Sequence, residues 1–384
     1  MQDRIIYIEA QRLFRKQKHG MDIVAIELLK RLRNLSPSYQ FHVLVKKDED
    51  HCLDNSKSMT VSSLKSHFYP IWEQWFLPKT TGSNSRNILH CTGNTAPIFG
   101  NTPLLLTIHD LIFLEKNYLF SKEGGSLYQR FGNFYRSIVV PIVARKAKHV
   151  ITVSEYQRNI IINRLKLCPT KVSVVYNGVD NRFFYHAEST TNNAVLNKHG
   201  ISFPFIFFMG NTEPRKNTVG AIKAFKIFCE HNPSFTHKLV IKGLTEIQLS
   251  EKIKEANAII FADRIHHIGY IDSSDLPAIY QGAEVLWFPS FSEGFGLPII
   301  ESMACGTPVI TSSTSVMPEI AGDAALYIDP NRPRELARQT LEILLDPILK
   351  MNLIEKGKKR AENFSWEKST TDLMKVYERM MEIA

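Results

Sequence analysis

A chain of 384 residues, 44% of them hydrophobic and 22% charged, is long enough for two α/β domains with separate cores and too apolar to stay disordered. Its longest apolar runs, 104–114 and 137–153, are broken by His109 and Asp110 or by Arg145, Lys146, Lys148 and His149. Neither reaches the ~18 residues of a membrane span. Five scattered cysteines with no CxxC pair argue against a disulfide framework and structural zinc and fit a reducing cytosol, and the polar start at Asp3 and Arg4 is unlike a signal peptide. The net charge of +9 is lopsided: residues 1–185 hold 26 Lys and Arg against 14 Asp and Glu, the remainder 21 against 24.

In chain order, an apolar strand at 5–8 precedes an amphipathic helix at 21–35, with Ile23, Ile26, Leu29 and Leu32 at helical spacing. Short strands follow at 41–45, 88–90, 104–108 and 149–153. Ser154 then caps a helix through Leu165 with Glu155 in its first turn, and a strand at 172–175 ends in the turn dipeptide Asn177-Gly178. Residues 182–202 lose periodicity and read as a connection between domains. A second series opens with the continuous apolar strand 205–209, as a parallel strand covered on both faces requires. It continues through a helix at 218–230, strands at 239–242 and 266–268, a helix at 274–281, a strand at 285–288, a helix at 298–304 and a strand at 308–311. From 334 to 383 the pattern is helical, with a break at 363–366. Strands alternating with helices predict parallel, doubly wound sheets.

Four segments carry candidate chemistry. Between Trp287 and Glu301 a strand runs into the loop Glu293-Gly294-Phe295-Gly296-Leu297-Pro298, with Pro298 in a favoured first-turn position. Glycines let the backbone approach a ligand, and the helix start offers free N–H groups at the sheet edge where open parallel sheets bind ligands. Two carboxylates there, Glu293 and Glu301, suit hydroxyl pairs. A plain turn bearing two solvated glutamates explains the same residues equally well. After the strand 205–209 comes Gly210-Asn211-Thr212-Glu213-Pro214-Arg215-Lys216-Asn217. Adjacent cations at a helix start oppose the helix dipole and so point to an anion site. His109 and Asp110 close the strand 104–108, where a structural hydrogen bond is the ordinary alternative. Gly20, in Lys18-His19-Gly20-Met21-Asp22, either admits a pyrophosphate or belongs to an ordinary loop.

Taken together, Glu213-Pro214-Arg215-Lys216-Asn217, the Glu-x7-Glu pair of Glu293 and Glu301, Asn177-Gly178-Val179-Asp180, Met303 to Ile310, 316–322 and Phe364-Ser365-Trp366 resemble glycosyltransferase family 4. That resemblance implies the GT-B fold, two Rossmann-like, doubly wound domains facing a cleft. It implies domains at 1–185 and 186–365, with a final helix at 366–384 crossing back to the first. It also implies retaining, metal-independent transfer of a hexose, with no cofactor. Arg215 and Lys216 would hold the donor diphosphate, Glu301 the ribose and Glu293 the transferred sugar, helped by Gly210, Gly294, Phe295, Gly296 and Leu297. His109 and Asp110 would lie near the reacting sugar, Gly20 near the diphosphate and Tyr270 at the base. The family's usual N-terminal glycine loop is richer than the Gly20 segment. The donor form resembles mannosyltransferase-like members, which ranks GDP-mannose ahead of UDP-hexoses and dTDP-rhamnose. The acceptor is a glycan or a lipid-diphosphate-linked oligosaccharide, and the expected location is cytoplasmic, at the inner face of the membrane, in cell-surface polysaccharide or lipopolysaccharide synthesis.

Rival readings are weaker. Asp48-Glu49-Asp50 after a strand suggests a metal-dependent transferase of another fold, yet it reads as a solvated charge run. Gly294-Phe295-Gly296 lacks the third glycine of a dinucleotide fingerprint, since Ile299 stands there. A sugar-nucleotide epimerase of the same fold is the nearest enzymatic alternative. A non-enzymatic binder of nucleic acid or an anionic surface is prompted by the basic half and by Tyr128, Phe131, Phe134 and Tyr135, whose helical spacing instead suggests core. No nucleic-acid partner is expected.

Overall fold

The structure, a computed structural model, describes residues 4–35, 39–65, 68–114, 127–185 and 189–382, with 127–130 and 189 described by their backbone alone. It divides into two compact units: Met1–Gly178 with Trp366–Ala384, and Val179–Ser365.

The first unit is built on a seven-stranded sheet: β1 (Ile5–Glu9), β2 (Gln40–Val45), β3 (Met59–Ser63), β4 (Ile88–Cys91), β5 (Leu104–Thr107), β6 (His149–Thr152) and β7 (Val172–Val174). The order is β3-β2-β1-β4-β5-β6-β7, and every pairing is parallel. The chain therefore winds outward from β1 through β2 to β3, then returns to β4 on the other side of β1. A doubly wound sheet has its ligand edge at such a reversal. Side chains alternate faces along each strand: Ile6 and Ile8 enter one core, Tyr7 the other, and Leu105 separates from Leu104 and Leu106 in the same way. Burial on both faces explains why β5 reads as unbroken apolar sequence.

The helix Trp366–Glu382 belongs to this unit. Leu373, Val376, Tyr377, Met380 and Met381, one stripe at helical spacing, fill the core beside Phe41 and Ile88. Tyr377 Oη lies 2.6 Å from His90 Nδ1 inside that core.

The second unit holds β8 (Phe205–Met209), β9 (Lys238–Lys242), β10 (Ile265–Ile268), β11 (Val285–Phe288), β12 (Val309–Ser312) and β13 (Leu326–Ile328), in the parallel order β10-β9-β8-β11-β12-β13. Its reversal falls between β8 and β11. Phe225, Phe228, Trp287 and Ile310 sit in its core, where Trp287 Nε1 donates to Thr340 Oγ1 over 2.8 Å.

Three expectations need correction. The units divide at Gly178 and Val179, not at 185. Val179 N donates to Phe364 O over 3.0 Å, and the Phe183 ring is buried against Tyr280, so 179–185 folds with the second unit. The connection at 182–202 contains the helix Ser189–Lys198. Its polar sequence hides a single contact face, where Asn192 Nδ2 donates to Gln281 Oε1 over 2.7 Å and Leu196 packs at Gly282. Finally, Phe131 and Phe134 are not core residues. They lie exposed on the helix Leu127–Lys146, because the opposite face, with Val139, Val140, Val143 and Ala144, meets the sheet. The side chain of Tyr128 lies outside the described residues.

Candidate active site

In the second unit, Arg215 and Lys216 leave β8 on the 3₁₀ turn Pro214–Lys216, and Glu293 leaves β11. The two exits are adjacent because β8 and β11 are paired across the reversal. Asn217 fastens them together. Held at φ +57°, it donates from Nδ2 to Pro289 O over 3.0 Å and to Pro330 O over 2.8 Å, while Phe291 N donates to Arg215 O over 2.7 Å. The cations thereby converge on one carboxylate. Arg215 Nη1 lies 2.7 Å from Glu293 Oε2 and Lys216 Nζ 2.7 Å from Oε1. Arg215 also donates from Nε to Glu213 Oε2 over 2.6 Å, and Lys216 stands over the Phe288 ring. Burial opposes the Glu293 charge, but Lys216 and Arg215 outweigh it and hold the carboxyl below its usual range.

Gly296 has φ +103° and caps the helix Leu297–Ala304, so the backbone turns there as only glycine does readily. The Phe295 ring is buried, edge-on to Phe364 at 5.8 Å. The ring packs inward, which leaves the backbone of Phe295 as its part of the loop's open edge. Leu297 is half-buried, and Gly294 lies in the same loop. Glu301, on the second turn, accepts from Tyr280 Oη over 2.9 Å; burial raises its carboxyl pKa, with Tyr280 and Lys242 opposing. Gly210 is required by packing. A Cβ there would come 2.8 Å from Ile241, and its carbonyl is approached by Gly243, whose own Cβ would lie 2.6 Å away. Tyr270 stands exposed at the exit of β10, two strands from β8 on the same sheet edge.

The corresponding edge of the first unit holds His109. Its backbone N–H donates to Asn94 Oδ1 over 2.7 Å, and Nε2 lies 2.9 Å from Thr92 O. A carbonyl only accepts, so Nε2 carries the proton and Nδ1 the lone pair. Burial lowers the His109 pKa, which keeps the ring neutral near pH 7. His109 lines a narrow recess with Met21, Val24, Thr107 and Asn177. Asp110 accepts from Ile112 N over 3.2 Å and shapes the following turn. Gly20 is the first residue of the helix Gly20–Leu32, and a Cβ there would meet nothing within 4 Å. Local packing thus does not demand glycine at that position.

Glu9 escaped the sequence reading. As the last residue of β1 it faces the reversal, accepting from Gln11 N over 3.0 Å and Thr92 N over 3.3 Å, and burial raises its carboxyl to about 7. The available signal was a carboxylate closing an otherwise apolar strand. Asp50 of the acidic triplet is paired with Lys18 Nζ at 2.5 Å, and among the described residues no group of three His, Cys, Asp or Glu is arranged to hold a metal.

Two family models match the chain in succession without overlap: Glycosyltransferase Family 4 over residues 19–183, and Glycosyl transferases group 1 over 194–360. The chain belongs to glycosyltransferase family 4. It is similar to the O-antigen chain mannosyltransferase B of Escherichia coli, 30% identical over 60% of each chain. It is also similar to the O-antigen chain mannosyltransferase RfbU of Salmonella typhimurium, 26% identical over 66% of this chain and 69% of that one. The D-inositol 3-phosphate glycosyltransferase of Salinispora tropica is 28% identical over 61% of this chain, which matches only 52% of it; the chain spans little more than half the length of several such relatives. Among solved structures, Anabaena HepE in complex with UDP and glucose superposes with TM-score 0.74, 16% identity and 98% and 100% of the two chains. WaaG, a glycosyltransferase involved in lipopolysaccharide biosynthesis, gives 0.66, 15%, and 97% and 99%. These structural likenesses show the GT-B fold. No helix among the described residues is long and apolar enough to cross a membrane.

Proposed function

We propose that this family 4 chain is a retaining, metal-independent hexosyltransferase of cell-surface polysaccharide synthesis. It moves a hexose, mannose first, from a nucleotide diphosphate sugar to a glycan or lipid-diphosphate-linked oligosaccharide at the inner, cytoplasmic face of the membrane. The observation that carries the reading is the convergence of Arg215 and Lys216 at the β8–β11 reversal. Two relatives named as mannosyltransferases and a structural neighbour holding UDP support the choice of donor class.

Heterolysis of the anomeric C–O bond leaves a diphosphate that gains negative charge as the sugar becomes oxocarbenium-like. Arg215 and Lys216 receive that charge, and such preorganised donors are each worth ~3 kcal/mol. Before the donor arrives, Glu293 balances both cations; with donor bound, it shares them with the diphosphate and reaches the hexose hydroxyls. The acceptor oxygen bonds to the anomeric carbon on the face the diphosphate leaves, and its proton passes to a phosphate oxygen. No side-chain base is needed. Glu301 takes the ribose hydroxyls, Tyr270 borders the base, and the backbone of 294–297 and Gly210 closes around the donor. Neutral His109 accepts a sugar hydroxyl at Nδ1, with Asp110 shaping its loop and Gly20 leaving room for the diphosphate.

The test pairs a thermal-shift panel of GDP, UDP and dTDP with transfer assays using the matching hexose donors. A ligand at a hundred times its dissociation constant should stabilise by ~2.7 kcal/mol. Stabilisation by GDP with mannose transfer to a glycan acceptor is expected. Interconversion of free nucleotide sugars without acceptor would overturn the reading in favour of an epimerase.

A further inference from the structure

Two helical stretches of the first unit leave large apolar side chains in solvent. Along Tyr69–Ile71, the wider turn Trp72–Phe76 and Leu77–Thr81, the row is Phe68, Ile71 and Trp75, the last 67% exposed. Along Leu127–Lys146 the row is Phe131, Phe134, Ile138 and Ile142, with Phe134 58% exposed. Spacing of three and four residues marks each row as one face of its helix. The inner faces are apolar as well, since Trp72 and Leu77 on one stretch and Val140 and Val143 on the other are buried. A helix apolar on both sides needs a second environment, and a contiguous patch of this kind marks an interaction surface.

The rows form one surface. The Phe68 and Phe131 rings lie 6.0 Å apart. Beneath them Glu73, fully buried, accepts from Tyr69 Oη, Thr95 Oγ1 and Tyr135 Oη over 2.5 Å each and from Gln74 Nε2 over 2.9 Å. That carboxylate ties the two stretches together and holds the apolar side chains outward. Cations stand at the same ends of both rows: Lys79 and Arg145 are exposed, and Lys146 anchors the 98–100 loop that presents Phe99, 75% exposed. Residues 68–81 and 127–146 contain no acidic residue other than the buried Glu73.

We propose that this face docks the chain on an anionic lipid surface, the aromatic and branched side chains entering the headgroup boundary while Lys79 and Arg145 meet lipid phosphates. Charge complementarity selects this occupant. A second copy of the face would offer Lys79 and Arg145 no acidic partner, and two exposed cations are too few to hold a run of nucleic-acid phosphates. The proposal deepens the membrane-side reading above and rests on it for its purpose, but not for its residues.

Trp75 supplies the probe, because Trp72, Trp287 and Trp366 are buried. The full chain is titrated with vesicles of phosphatidylcholine containing phosphatidylglycerol, and with phosphatidylcholine alone. A blue shift of tryptophan emission on the anionic vesicles is expected, lost in Trp75→Phe while co-sedimentation persists. Phe131→Ser with Phe134→Ser and Ile138→Ser should lower the bound fraction by on the order of tenfold or more. Lys79→Ala with Arg145→Ala should lower it severalfold and flatten its salt dependence. An unchanged thermal midpoint in each variant shows that the fold is kept. Binding that ignores anionic lipid, or that survives the serine variant, overturns the surface. A free chain that changes from dimer to monomer on serine substitution overturns it in favour of a second copy. Transfer to a soluble acceptor alone, with vesicle binding intact, removes the lipid-linked acceptor and leaves the surface standing.

Discussion

Arg215 and Glu293, 78 residues apart in the chain, are joined by a 2.7 Å ion pair between Nη1 and Oε2, with Lys216 on the other carboxylate oxygen. Replacing Arg215 and Lys216 by alanine together should lower turnover by about a thousandfold or more. It should also destabilise the fold by about 3 kcal/mol, because Glu293 is left buried without a counter-charge. Adding Glu293→Gln should restore most of that stability and none of the turnover. Steady-state kinetics and urea unfolding read the two effects separately, and undiminished turnover in the double variant would end the proposed role.

Tyr280, itself buried, donates to the half-buried carboxyl of Glu301. Tyr280→Phe removes the hydroxyl and leaves a carboxyl already raised by burial with less reason to ionise. If Glu301 holds ribose hydroxyls equally in the ground and transition states, KM for the donor should rise about tenfold with kcat nearly unchanged. A fall in kcat at constant KM would contradict that assignment.

Glu9 should make stability depend on pH. Its folded pKa of about 7 lies above the usual carboxylate value, so the folded chain binds the extra proton between about pH 4.5 and 7. Stability therefore falls as pH rises through that window, by at most about 3 kcal/mol from this group. Burial lowers His90 to about 3, which works in the opposite sense below pH 6.5, so the measurement is the difference between wild type and Glu9→Gln. The variant should gain relative stability from pH 5 to pH 8. A constant difference would remove Glu9 as a titrating group.

Excess chelator should leave transfer unaffected. The proposed leaving-group charge falls on Arg215 and Lys216, and Asp50 of the acidic triplet is already engaged by Lys18. Complete loss of turnover in chelator, restored by one divalent ion, would refute metal-independent transfer.

Residues near one another in sequence carried their own structure. The apolar run Phe205–Met209, the glycine and proline around Gly296 and Pro298, and Ser154, whose side chain accepts from Gln157 N, each act within a few residues. Strand period, turn chemistry and capping therefore announced the alternating strands and helices, and the ordered motifs announced the family. The helix Ser189–Lys198 escaped because its sequence is polar and its support comes from Gln281 and Gly282. The outward turn of Phe131 and Phe134 escaped because helical spacing does not say which of two apolar faces meets the sheet.

Strand order decided the rest. Arg215 and Glu293 meet only because β8 pairs with both β9 and β11, and Glu9 meets Thr92 only because β1 pairs with both β2 and β4. Sequence alone marked most of the strands and helices, Arg215 and Lys216, and the carboxylates Glu293 and Glu301, since periodicity and local hydrogen bonding are short-range. Which carboxylate faces which cation follows from the crossover back past the first strand, chosen by burial of both sheet faces at once, and no segment contains that information by itself.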